Sequence, residues 1–141
     1  MAKSGFSVSQ RRKVQNISGD GPLAITAADC GTMFVITDDS ASLTASRAIS
    51  LPDPAVAGNG WHCKIVLGVA QDNGGEDTVI TAPENFASQL MVTADGAAAT
   101  AIVATNATTI TIDVSASDVA GDQVEFMVLN GAYHATAHMA T

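Results

Sequence analysis

The sequence predicts an all-β fold, a single-domain antiparallel β-sandwich or barrel of jelly-roll-like form with an extended N-terminal arm. Three observations predict it. Short runs with apolar residues at every second position recur at spacings of roughly 10 to 12 residues, as in sandwiches and barrels. Gly, Pro, Asn and Asp punctuate the gaps between them. The hydrophobic share of 47% is mostly Ala and Val with six aromatics, which suits a core of closely packed sheets. With 141 residues, roughly two thirds of the unfolded surface can be buried, so no disulfide or metal staple is required.

Residues 49–69 organise the chain. Trp61, Cys63, Ile65, Leu67 and Val69 alternate with the polar His62 and Lys64, the period-two pattern of a half-buried strand. Ile49 and Leu51 share one face of the strand before it, and Pro52, Pro54 and residues 58–60 mark a turn-rich crossover between the two.

In chain order, residues 1–15 lack a sustained period and read as an arm that orders against a partner, with the β domain over 16–141. After a turn at 19–22, a short strand is expected at 23–26 and a reversal at 27–31. Met33 to Ile36 is an unbroken apolar run, which reads as a strand covered on both faces. Residues 38–42 turn the chain, 45–51 and 61–69 are the strands already described, 71–77 is a loop, and 78–81 is a β-branched strand. Phe86, Leu90 and Val92 line one face. The Ala-rich stretch 97–104 contains Thr100, Ile102 and Val103 and no capping signal, so it is read as a strand. Thr109 to Val114 alternates cleanly, Val124, Phe126 and Val128 repeat the pattern, and Asn130-Gly131 is a strong hairpin signal before the last strand. Sliding the chain by 63 positions superposes Ile49 on Ile112, Gly58 on Gly121, Trp61 on Val124 and Cys63 on Phe126, a hint of internal duplication that ordinary turn chemistry also produces.

The net charge of −8 is unevenly distributed. Lys3, Arg11, Arg12 and Lys13 give the arm +4, leaving two basic and fourteen acidic residues, a net −12, in residues 14–141. Such a body repels nucleic acid and anionic membranes, so neither is expected as a partner, whereas the arm suits an acidic protein surface. No secretory h-region follows the basic residues, and no apolar run is long enough to span a bilayer. The triplets at Asn16 and Asn106 carry no weight as glycosylation sites without a secretory signal.

Chemistry is sparse. Cys30 and Cys63 read as small buried hydrophobes, with a single disulfide as the alternative. His134 and His138 are four apart and share a strand face, a conceivable two-His metal site, but no Cys or carboxylate stands at ligand spacing. His62 is the third histidine. Asp72, Asn73, Glu76 and Asp77 offer hard oxygens without EF-hand spacing and read as a solvated turn rather than a calcium loop. No serine sits in a nucleophile elbow, and no phosphate-cradling glycine motif is present. No catalytic residue, cofactor or metal is therefore expected, and the protein is not expected to be an enzyme.

The segments ITAADCGTMFVIT (25–37), ISLPDPAVAGNGWHCKIV (49–66) and GDQVEFMVLNGAYHATA (121–137) resemble small β-structured virion proteins of tailed bacteriophages, the capsid decoration (cement) proteins and head or tail fibre β modules. Those proteins often carry a Trp beside the aromatic of the closing hairpin; here Ala132 and His134 flank Tyr133. The resemblance implies a structural protein on the virion surface, made in the host cytoplasm, that assembles as a homotrimer and binds the major capsid protein. It makes Lys3, Phe6, Arg11, Arg12 and Lys13 the expected partner-binding residues. A fibre or tail module with its recognition surface on 71–77 is the alternative, and a small binding or hydrolytic domain using His62, His134 or His138 is a third.

Overall fold

The computed structural model describes residues 13–71, 75–93, 107–112 and 120–139. Among the described residues, ten strands fall into two mixed sheets with little helix. The first sheet has the order β1 (Val14–Ile17), β3 (Met33–Ile36), β5 (His62–Leu67), β9 (Gln123–Leu129), β10 (Ala132–Met139), β7 (Ser88–Thr93). The second has the order β2 (Leu23–Ala24), β4 (Arg47–Ser50), β6 (Thr78–Thr81), β8 (Thr109–Ile112). The expected Ala-rich strand at 97–104 lies outside the described residues, as do Asp113 and Val114.

The all-β expectation holds, but the antiparallel one needs correcting. Among the described residues β1 runs parallel to β3, β3 to β5, β2 to β4, β4 to β6 and β7 to β10, and only β5–β9, β9–β10 and β6–β8 are antiparallel. The cause is the way the chain winds. From β1 to β8 successive strands alternate between the sheets, so over β1–β6 a strand re-entering its own sheet arrives in the direction it had before. The strand in the other sheet acts as the crossover that parallel pairing requires. Hairpin reversal occurs at Asn130 and Gly131, whose φ values of 52° and 76° suit a two-residue turn of the primed type. Among the described residues neither sheet closes on itself.

Burial alternates as the side-chain period demands. Cys63, Ile65 and Leu67 point inward from β5, and Val124, Phe126 and Val128 from β9. Ile49, Ile80 and Ile112 face them from the second sheet, and one hydrophobic cluster joins both sets. In β3 only Phe34 and Ile36 are buried; Met33 and Val35 are half-buried on the outer face, so this apolar run is not covered on both sides. Val14 and Gln15, placed in the arm by the sequence boundary, pair with Met33 and Phe34 as the start of β1.

The crossover at 52–60 contains a single helical turn, α1 (Pro54–Ala57). Asp53 caps it by accepting from the Ala55 N–H at 2.8 Å, and Pro54 stands where a missing donor is harmless. Strands β4 and β5 on either side of it lie in different sheets. The 63-residue shift carries β4 onto β8, which flank β6, and β5 onto β9, which pair with each other; in both cases the related strands run in opposite directions.

Candidate interaction surfaces and reactive side chains

Because β1, β3 and β5 are parallel neighbours, the loops after them share one end of the molecule, called here the upper end. Asp20, Asp38, Asp39, Glu76, Asp77 and Asp122 all lie there. The basic side chain at that end among the described residues is Arg47, fully buried at the start of β4. Its Nε donates to the Gly19 carbonyl at 2.8 Å, one terminal nitrogen to Asp38 Oδ1 at 2.6 Å and the other to Thr78 Oγ1 at 3.3 Å. Asp38 also accepts from the Gly19 N–H. The Gln71 amide donates to the Asp38 carbonyl at 3.2 Å. Asp20 accepts from the Thr44 hydroxyl and N–H, and these bonds hold its carboxyl below the usual range. Glu76 accepts from Ser46 at 3.0 Å.

At the lower end the buried side chains that donate hydrogen bonds are aromatic. Trp61 and Tyr133 meet edge to face at 5.9 Å, and Phe86 lies 6.1 Å from Tyr133 and 6.0 Å from Phe126. Trp61 Nε1 donates to the Ala27 carbonyl at 3.1 Å and the Tyr133 hydroxyl to Pro52 at 2.8 Å. Burial raises the Tyr133 phenol above its usual range.

Of the expected partner-binding residues, Lys3, Phe6, Arg11 and Arg12 lie outside the described residues. Lys13, exposed at the lower end of β1, pairs with Asp29 of its own chain at 3.0 Å. Asp29 also accepts from the Thr26 N–H and hydroxyl, which are the main reason its carboxyl is held below the usual range, with Lys13 adding to them.

The cysteines divide, and the reading of both as buried is corrected for one of them. Cys63 is buried in the core, which pushes its thiol upward, while Cys30 is exposed; both are free thiols. Cys30 stands on the corner before β3 because the capped turn at 27–29 reverses the chain there, so no strand face carries it inward. Its Sγ lies 3.9 Å from His62 Nδ1.

His134 and His138 do not converge. His134 Nδ1 is 2.7 Å from Ser88 Oγ on the neighbouring strand, and His138 is exposed. Four residues along a strand separate their Cα atoms by roughly 13 Å, too far for one ion despite the shared face. Among the described residues no three His, Cys, Asp or Glu side chains are grouped to hold a metal. Asp72 and Asn73 of the acidic loop lie outside the described residues.

Sequence reasoning missed Arg47. The available signal was its position, the one Arg beyond residue 13, opening a strand in a body whose other basic residue is Lys64. The chain matches no protein-family model, and comparisons with curated proteins and with solved structures find no match either.

Proposed function

We propose that this protein is a structural, non-enzymatic component of a tailed-phage virion, a capsid decoration protein that binds the assembled head through its arm and β body. The observation that supports this reading is the separation of charge along β1. Lys13 marks the lower end, where the +4 segment joins the body, and six carboxylates lie at the upper end, one of them, Asp38, on the buried Arg47. A basic segment rooted away from the acidic surface is arranged to meet a second molecule, either the major capsid protein or a neighbouring copy, by complementary charge. The two sheets act as an open sandwich, a rigid block, and the homotrimer is the assembly that the sequence resemblance favours.

Removing residues 1–13 tests the reading. The truncated chain is expected to keep its β circular dichroism and unfold cooperatively, yet fail to co-sediment with phage heads that bind the full chain. Binding at full strength without those residues would remove the proposal's basis.

A further inference from the structure

We propose that Cys30, His62 and Met127 form a binding site for a soft monovalent metal ion of the Cu(I) class. The three side chains come from three elements that the fold fixes together. The corner carrying Cys30 is tied to β5 by the Gly31 N–H, which donates to the His62 carbonyl at 2.7 Å, and by Lys64 N–H to the Thr32 carbonyl at 3.1 Å. Trp61 Nε1 anchors the same corner through the Ala27 carbonyl.

His62 points to the outer face of β5, directly opposite Met127 of β9. Val128 N–H bonds to the Trp61 carbonyl and Leu67 N–H to Asp122, so odd-numbered residues of β5 form the hydrogen-bonded pairs. His62–Met127 is then a non-hydrogen-bonded pair, with Cα atoms about 4.5 Å apart and side chains at their closest cross-strand approach. Met127 is partly exposed, at 36%.

The donor set is a thiol, an imidazole and a thioether. Thiolate and thioether sulfur select soft ions such as Cu(I) over the harder divalent ones. Geometry agrees. With zinc bond lengths as a guide, about 2.3 Å to sulfur and about 2.0 Å to nitrogen, donors 3.9 Å apart subtend about 130° at the ion, near the trigonal angle of about 120°, and register sets Met127 opposite His62 as the third donor. His62 Nδ1 also lies 3.1 Å from the Gly60 carbonyl. Uptake through this nitrogen therefore displaces any proton it carries, along with the thiol proton of Cys30. His134 takes no part, being bonded to Ser88, and Cys63 is enclosed in the core.

The test is an anaerobic titration of the reduced full-length protein with Cu(I) against a chromophoric Cu(I) chelator. Wild type is expected to capture one equivalent per chain. Cys30→Ser is expected to abolish capture, and His62→Gln and His62→Asn each to weaken it at least tenfold. Met127→Leu is expected to weaken it severalfold, and Cys63→Ala to leave it intact. All the outer-face variants should keep the wild-type unfolding midpoint, since none of their side chains belongs to the core. Capture that survives Cys30→Ser, or that both His62 variants leave unchanged, would overturn the proposal.

Discussion

The two ends of the molecule are closed by different physics. The lower end is closed by the rings of Trp61, Tyr133, Phe86 and Phe126, with two hydrogen bonds to backbone carbonyls. The upper end has no aromatic among its described residues and is closed by a buried cation that gathers Gly19, Asp38 and Thr78. The aromatic end gains from apolar burial and tolerates imperfect polar geometry. The polar end depends on every partner being present, because a buried charge that loses one of them has no solvent to turn to. The upper end is therefore the more easily broken by a single substitution, and it is also the acidic surface.

The largest expected effect tests that asymmetry. Asp38→Ala leaves the Arg47 guanidinium enclosed without its carboxylate and is expected to cost about 3–5 kcal/mol in denaturant unfolding. Arg47→Met, which removes the charge and keeps much of the volume, is expected to cost less, since Asp38 is partly exposed and can be hydrated. The reverse order would mean that packing, not charge, closes this end. At the lower end, Tyr133→Phe keeps the ring contacts and loses the bond to Pro52; a cost of about 1 kcal/mol is expected.

Thr32 should change the sign. Its hydroxyl is fully buried and finds no partner among the described residues, so Thr32→Val is expected to raise stability by about 1 kcal/mol. A loss of stability would show that the hydroxyl is satisfied in solution.

The smallest effect is the pH dependence at the lower end. Asp29 titrates below its unfolded value of 3.8 because Thr26 and Lys13 favour its charged form. Its contribution is therefore complete above the unfolded value and is lost as pH falls through the lower folded one. The stability gap between wild type and Asp29→Asn should be constant near neutrality and close on the acid side, which unfolding midpoints between about pH 6 and pH 2 would show.

Much of the fold was legible in the sequence because side-chain alternation is a local property. The sequence pattern places the strands at 33–36, 78–81 and 123–129 to the residue or nearly so, and Asn130-Gly131 marks the hairpin it predicts. Pairing direction was not legible. Alternation fixes which face is buried but is silent on which sheet a strand joins, and the strands that follow the turns after β1, β3 and β5 join the other sheet. Two site features were hidden for a similar reason. Arg47 and Asp38 are nine residues apart and meet through the loop at 37–46. Cys30 and His62 are 32 apart and meet across the register of β3 and β5. Met33 and Val35 show the converse: an unbroken apolar run predicts burial on both faces, whereas one face is half open.

Imaging intact phage particles by cryo-electron microscopy, with and without this chain, tests the central claim most directly. The account predicts two-sheet density on the outer surface of the head, its Lys13 end against the shell, absent from particles lacking the protein. Density confined to a tail or fibre, or heads identical in both preparations, would contradict it.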